Sequence, residues 1–462
     1  MNIMKKILLI GFLITTVASS AQCWKSVSAG ETHSMGIRID GTLWGWGQNA
    51  IVGYVGNGST QNVLVPIQIS SDTDWKEVHA GDTHSIALKN DGVMWAWGDN
   101  LYGQLGDGTN TIKNIPIQVG TSTWKMVRAS SNHTVGIKTD GTLWAWGNNE
   151  QAAVGDGTFV NKLVPTLINS STDWKMVSCN LFRNVAVKND GTIWVWGMNS
   201  PFLGLGAMYS DQSHITIPTQ IGTATDWKMA VVGFGYNLAL KNDNTLWAWG
   251  GGGNGKLGNG STSSIFVPTQ IGADADWETL EADSQSSFGI KTNNTLWAWG
   301  RNNFGQLGNN TLDNILVPTQ ITTTSDWKSV ATGAGFTAAL KTDGSLYTWG
   351  YNFYGSLGDG TYNDQQAPLL INSCNLGTAD LQSRKKLLLY PNPANDKVNI
   401  VFEGSGGILL EVYDLMGRLV AAHEPIDSTD WQLDVSNMAS GMYIVIGKQN
   451  NMIVVQKKLQ VL

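Results

Sequence analysis

Tryptophan placement constrains this chain more than any other feature. Twenty of its 21 indoles fall into three columns of a unit that recurs seven times, at a period of about fifty residues that signals a repeat architecture. Each copy opens on a Trp, at Trp24, Trp75, Trp124, Trp174, Trp227, Trp277 and Trp327, with spacings of 51, 49, 50, 53, 50 and 50. A second column follows 22 residues later, at Trp46, Trp97, Trp146, Trp196, Trp249, Trp299 and Trp349. The third lies two positions before it, at Trp44, Trp95, Trp144, Trp194, Trp247 and Trp297, with Tyr347 in the last copy.

Within a copy the apolar residues alternate, the mark of half-buried strands. In the second copy the stretches are Trp75 to Ala80, His84 to Lys89, Met94 to Gly98 and a short last strand from Pro116 to Val119. Asp91-Gly92 separates the second stretch from the third, and Asp-Gly recurs there after Asp40, Asp140, Asp190 and Asp343. That pair predicts a tight type I′ hairpin. Asp243-Asn244 and Asn293-Asn294 replace it with residues that also tolerate the left-handed region. Four short strands in each of seven copies predict an all-β, seven-bladed β-propeller over residues 22–371. One copy cannot bury its indoles alone, so neighbouring copies must cover them.

The copies resemble the regulator-of-chromosome-condensation (RCC1) repeat family. The residues that carry the likeness are Ala80-Gly81-Asp82-Thr83-His84-Ser85, Leu88-Lys89, Trp97-Gly98, Asn100 and Tyr102-Gly103-Gln104-Leu105-Gly106. The resemblance implies a platform for protein partners. Some members of the family promote nucleotide exchange on a small GTPase and others inhibit secreted enzymes. The copies drift from the pattern. The His of Gly-x-x-His survives as His33, His84 and His133 and becomes Arg183, Tyr236, Ser286 and Phe336 elsewhere, and the fourth copy replaces Gly-Gln-Leu-Gly-Asp-Gly with Phe202 to Ala207.

Both ends point outside the cytoplasm. Lys5 and Lys6 precede an apolar run from Ile7 to Val17 and small residues Ala18 to Ala21. This reads as a secretory signal peptide over residues 1–21, too short to span a bilayer, and no other stretch reads as a transmembrane segment. A polar linker at 372–386 leads to Leu387-Leu388-Leu389-Tyr390-Pro391-Asn392-Pro393-Ala394, then Val412 to Arg418, Gly441 to Val445 and Lys457-Lys458-Leu459. Residues 387–462 resemble the C-terminal sorting domain of the type IX secretion system of Bacteroidota. That resemblance implies a small Ig-like sandwich, engagement of the type IX machinery, and a protein released or displayed at the cell surface.

The formal net charge of −7 argues against nucleic acid as a partner. Thirteen of the 29 basic residues occupy two repeat columns: one follows the opening Trp, and the other (Arg38, Lys89, Lys138, Lys188, Lys241, Lys291, Lys341) ends the second strand. They read as charges at strand ends that keep the sheets soluble. Of the three cysteines, Cys179 stands where other copies have Ala and reads as a buried thiol. Cys23 and Cys374 flank the first and last copies, which are neighbours in a ring, so a Cys23–Cys374 disulfide is expected to latch it.

Motifs for chemistry are few. The chain has no His-Glu-x-x-His, Cys-x-x-Cys or Gly-x-Ser-x-Gly. The Gly-x-Gly-x-x-Gly at Gly250, Gly252 and Gly255 follows a strand without a succeeding helix, so phosphate cradling is not expected. The Gly-Asp-Gly-Thr turns supply too few oxygens for calcium, and the repeated His read as structural hydrogen-bonding groups. Glu31 and Asp82 share a column without forming an acid–base pair, and Glu278, Glu281 and Asp283 read as surface drift. No catalytic, cofactor-binding or metal-binding residue is expected, and no cofactor. Asymmetry between copies points to recognition instead. The fourth and fifth copies offer Phe182, Arg183, Phe202, Tyr209, Phe234 and Tyr236, types favoured as interface anchors. The expected function is a non-enzymatic binding platform for an extracellular protein or glycan. An extracellular polysaccharide- or peptide-degrading enzyme on the same scaffold is the alternative, and nucleotide exchange a distant third.

Overall fold

The computed structural model describes residues 23–462 except 51, 200–201, 207–211, 283, 373–385, 404–407, 415–417, 427–429 and 450–451. The expected signal peptide, Cys374, Tyr209, Asp283 and nearly all of the linker lie outside the described residues. The chain divides into two units, Met1–Cys374 and Asn375–Leu462.

In the first unit each repeat folds into four antiparallel strands in chain order, as in Trp24–Ala29, His33–Arg38, Leu43–Gly47 and Val63–Gln68. Five sheets have this form, and a seven-stranded one joins the second and third copies through the continuous strand Lys113–Ala129. The fusion falls at the shortest repeat spacing, where few residues separate the outer strand of one copy from the inner strand of the next. Counted this way, the described residues form seven blades. The first strands of all seven line a central channel of about 380 Å³.

Among the described residues closure uses whole repeats, with no strand exchanged between the first and last blades. One contact set recurs at every seam. The opening Trp N–H donates to a hairpin carbonyl of the preceding blade, as Trp124 does to Gly92 at 2.9 Å, and Trp24 does the same to Gly344 of the last blade at 3.0 Å. Each second-column indole donates to the Gly-rich loop of the preceding blade: Trp146 Nε1 to Gln104 O at 2.9 Å, and across the closure Trp46 Nε1 to Ser356 O at 2.9 Å. The loop must be glycine there because its backbone lies against the indole. A Cβ on Gly106 would sit 2.7 Å from Trp146 Nε1, and one on Gly358 would sit 2.8 Å from Trp46. The apolar clusters straddle blades too, with Trp24 and Trp46 packed among Ala338, Leu340 and Leu346. Burial of these rings between neighbours, at roughly 150–250 Å² each, makes the ring cooperative.

The structural reading of the histidines agrees with the geometry. His33 Nε2 meets Ser85 Oγ at 2.8 Å, His84 Nε2 meets Thr134 Oγ1 at 3.0 Å, and His133 Nε2 meets Asn184 Oδ1 at 2.9 Å, each in the next blade.

Two expectations are corrected. The Asp-Gly hairpins are not type I′, since only the second residue has positive φ (Gly41 81°, Asn244 62°) while Asp40 and Asp243 do not. Gly41 N donates to Arg38 O, and Arg38 N to Thr42 O, which is a three-residue loop with a left-handed residue at its end. The Asp side chain selects this form. Asp40 Oδ1 accepts from Thr42 N at 3.0 Å and Thr42 Oγ1 at 2.6 Å, and Thr42 Oγ1 accepts from Trp44 Nε1 at 2.8 Å. The basic residues ending the second strands are not solvated either. Lys241 Nζ lies 5.1 and 4.3 Å from the Trp227 and Trp247 ring centres and 3.2 Å from Asp226, and the Lys291 side chain is only 7% exposed. These cations fill the gap between two indoles, where ring faces attract them.

The second unit has two antiparallel sheets. One contains Lys386–Tyr390, Lys397–Glu403 and Asp430–Asp434; the other contains Ile408–Asp414, Leu419–Ile426, Gly441–Gln449 and Met452–Val461. Val398, Ile400, Val412, Val445 and Leu459 share one core between them, the arrangement of a sandwich.

Candidate functional site

The first strands of blades 4 and 5 run one residue further than the corresponding stretch of the other blades, at Trp174–Asn180 and Trp227–Gly233. Asn180 pairs with Arg183 and Gly233 with Tyr236, leaving two-residue turns, Leu181-Phe182 and Phe234-Gly235. Leu181 takes φ of 48°, a left-handed conformation costly for a branched side chain. These turns place aromatic side chains at the face that carries the channel mouth.

Beside them lies a cleft of about 510 Å³ lined by Leu181, Phe182, Arg183, Met198, Phe202, Phe234, Gly235, Gly251 to Gly253, Lys256 and Ser264. Four of the six candidate partner residues, Phe182, Arg183, Phe202 and Phe234, converge there. Tyr236 does not line it. Its ring is fully buried and its hydroxyl donates to Ser286 O at 2.7 Å, substituting for the His of other blades. The Phe202 ring stacks on Phe266 with centres 6.4 Å apart, and the Arg183 guanidinium lies 5.7 Å from the Phe202 centre. Arg183 Nε donates to Met198 O at 2.9 Å, and Lys256 Nζ donates to Phe234 O at 2.7 Å. Burial brings Arg183 down to about 10. Burial, helped by the Arg183 charge, brings Lys256 down to about 8.

Sequence reading missed Lys256 and the glycines. Where other copies carry Asp99-Asn100-Leu101 or Tyr351-Asn352-Phe353, blade 5 has Gly251-Gly252-Gly253, and these open the cleft. A Cβ at Gly252 would fall 2.0 Å from Ser263 O, and one at Gly253 would meet nothing within 4 Å. The signal lay in the glycine run that also satisfies a nucleotide-binding pattern.

Leu181 and Phe234 also line the channel mouth, together with Glu31, Asp82 and Asn180. Burial raises Asp82 against a hydrogen bond from Ser131 Oγ that lowers it, while burial and the Asp82 charge raise Glu31. The sequence places these acids in one repeat column, and the ring brings that column to one channel mouth. Deeper in the channel Arg128 Nη1 bonds Glu77 Oε1 at 2.5 Å. Glu281, read as surface drift, lines the same channel, and its carboxyl is pushed up to about 7 by burial, offset in part by Arg128. The alternating strand turns that side chain inward, which a count of acidic residues could not reveal. Cys179 is a free thiol, raised to about 12 by burial. Cys23 is buried and disulfide-bonded. Among the described residues no group of three or more potential metal ligands converges, and no helix is long and apolar enough to cross a membrane.

Comparison with known proteins places this geometry. Residues 15–284 match the RCC1-like domain, residues 293–340 and 343–378 match RCC1 repeats, and residues 388–461 match a secretion system C-terminal sorting domain. The Arabidopsis thaliana ultraviolet-B receptor UVR8 is 37% identical over 101 residues, covering 21% of this chain and 22% of that protein. A Xenopus laevis RCC2 homologue is 40% identical over 91 residues, covering 19% and 18%. The matches thus span about a fifth of these relatives. Among solved structures, yeast RCC1 (Prp20) bound to Kap60 is similar with a TM-score of 0.65 at 17% identity, covering 84% of this chain and 94% of that one. Human WBSCR16 gives 0.62 at 22% identity, covering 69% and 87%. At these identities the likeness is one of fold. With more than half of its length matched by that model, this chain belongs to the RCC1-like domain family, and it carries a secretion system C-terminal sorting domain behind its propeller.

Proposed function

We propose that this chain is an exported, non-enzymatic binding propeller that engages an extracellular protein or glycan through the blade 4–5 face. The observation that carries the reading is the cleft, where Phe182, Phe202 and Phe234 meet two cations on a face otherwise built from repeated positions. Aromatic and Arg side chains in a concave, largely apolar site are the usual anchors of recognition. The signal peptide would be removed after Ala21, and the sorting domain would hand the propeller to the type IX machinery for release or surface display. The test compares the full chain with a Phe182→Ala/Phe202→Ala variant, both immobilised and exposed to extracellular fractions. A partner retained by the first and lost by the second supports the reading. Equal retention on both overturns it.

Convergence of Glu31 and Asp82 at the channel mouth favours a second reading, a hydrolase or lyase acting there. Turnover on a polysaccharide panel that disappears in Glu31→Gln and Asp82→Asn would establish it. Turnover unaffected by either change would remove it.

A further inference from the structure

The axial channel holds acids that the fold leaves without a counter-charge. The charged groups facing its bore among the described residues are Lys76, Glu77, Asp82, Arg128 and Glu281, with Glu31 beside Asp82 at the mouth. Arg128 is already committed, since its Nη1 donates to Glu77 Oε1 at 2.5 Å and to Val127 O at 2.7 Å. Lys76 stands at the start of its strand, away from the mouth, and is exposed. His79 accepts from Ala129 N through Nδ1 at 3.2 Å and is held neutral by burial, helped by the Arg128 charge. Glu281 lies as deep as the core, yet its side chain keeps accessible surface, and that surface faces the bore it lines. Among the described residues no donor meets its carboxyl, and Arg128 is the one cation that acts on it. Glu31 and Asp82, on adjacent blades, lie close enough to repel, and no described cation acts on either. Between residues 23 and 372, the positions outside the described residues (51, 200–201, 207–211 and 283) include no Lys or Arg, while Asp211 and Asp283 are themselves acids. They supply nothing that neutralises the channel.

Acids enclosed without a counter-charge call for a cation, which relieves their burial and their mutual repulsion. Their placement selects its shape. Glu31 and Asp82 stand seven positions after their opening Trp and Glu281 four after its own, so the two levels are about 10 Å apart along the axis at the rise of a strand. Acids strung out in this way do not gather round one metal ion, and among the described residues no three potential ligands converge. The same bore is walled by Val231, Val232, Ala282 and Ala331, which suit a methylene chain. We propose that the channel binds an aliphatic diamine end-on, one ammonium on Glu281 inside the bore and the other between Glu31 and Asp82 at the mouth. The site does not depend on the reading of blades 4 and 5 as a partner face. Each ammonium brings the charge-assisted donors that these carboxylates lack. Glu281 must be ionised to act, and burial, offset in part by Arg128, holds its carboxyl at about 7. An ammonium beside it favours the ionised form, so binding near about pH 6.5 expels a proton.

The experiment is calorimetry on the full chain with cadaverine, a diamine, and with pentylamine, which has the same carbon chain and one amine, at constant ionic strength. Cadaverine is expected to bind at least about tenfold more tightly than pentylamine, the effect of one further charge-assisted contact. Glu281→Gln should bring the two amines within about twofold of each other, and so should Glu31→Gln combined with Asp82→Asn, each variant being checked for an intact unfolding transition. At about pH 6.5 the native chain should release a proton on binding cadaverine, read as a binding heat that changes with the ionisation heat of the buffer, and Glu281→Gln should lose that release. Absence of binding by either amine overturns the proposal, as does equal affinity for the two in the native chain or a preference that survives Glu281→Gln. N-acetyllysine methylamide binding as tightly as cadaverine overturns the diamine in favour of a partner's lysine side chain. Magnesium binding more tightly than cadaverine overturns the assignment to an amine.

Discussion

Blade 2 carries a defect that the other blades expose by comparison, and repairing it tests the hairpin logic directly. In five blades a Thr hydroxyl two residues beyond the hairpin Asp or Asn accepts a hydrogen bond from the third-column indole, as in Trp144 Nε1 to Thr142 Oγ1 at 2.8 Å. The same hydroxyl donates to the acid, Asp140, at 2.6 Å. In blade 2 the Thr is replaced by Val93, and Trp95 Nε1 is buried without a partner. Asp91 still accepts from Val93 N at 2.9 Å, so the geometry for a hydroxyl is already in place. Val and Thr have the same shape, so Val93→Thr adds two hydrogen bonds with little repacking. An unsatisfied buried donor costs about 1–3 kcal/mol, and a net bond returns about 1 kcal/mol. Val93→Thr is therefore expected to stabilise the chain by about 1 kcal/mol, and Thr142→Val to cost about 2 kcal/mol by orphaning Trp144 Nε1. Urea unfolding followed by tryptophan fluorescence reads both as shifts of the midpoint at unchanged slope. A Val93→Thr midpoint at or below that of the native chain would refute the account.

Other consequences follow from the seams, the buried groups and the latch. Gly106→Ala drives a Cβ to 2.7 Å from Trp146 Nε1, whereas Gly108→Ala, with a similar φ, meets only Val164 at 3.7 Å; thermal unfolding should show the first losing about 3 kcal/mol and the second about 1, and equal losses would deny the seam its role. His33 and His84 are held down to about 3 and His133 to about 4 by burial, so the unfolded chain binds their protons first and stability falls from about pH 6.5 towards pH 4; a flat profile of midpoint against pH would contradict this. Glu281 has the opposite sign: with its carboxyl near 7 in the fold, it costs stability as pH rises from about 4.5 to 7, and Glu281→Gln should gain on the order of 1–3 kcal/mol above that window and nothing below it. Cys23→Ser should lose up to about 5 kcal/mol if the proposed Cys23–Cys374 latch closes so long a loop; peptide mapping of unreduced protein that finds both thiols alkylatable would rule the latch out.

Much of the architecture was legible because repetition makes its own control. A Trp recurring at fixed offsets in seven copies has the same neighbours in each, so blade number, strand order and the burial of the opening and second-column indoles could be read from spacing alone. The left-handed residues at Gly41, Asn244 and Asn294 were legible for the same reason, since only a few residue types tolerate that conformation. The candidate site was legible only where the copies disagree. Phe182, Arg183, Phe202 and Phe234 stood out as departures from a column, and they do meet in one cleft. Tyr236 departed too, but its hydroxyl replaces a buried imidazole, so its novelty is structural.

By itself, the order of residues determined a ring of indole-locked blades followed by a domain for export, because periodic burial is a local property written into each repeat. Tertiary structure alone decided which odd residues share a space. Lys256 joins Arg183 because blades 4 and 5 are adjacent and a glycine run leaves the gap between their loops unfilled. Glu281 turns inward to the channel and Lys241 is trapped between two rings because strand alternation and closure of the circle set what each charge faces. Charge and polarity along a chain do not specify surroundings; those come from residues tens or hundreds of positions away, brought near only when the last blade meets the first.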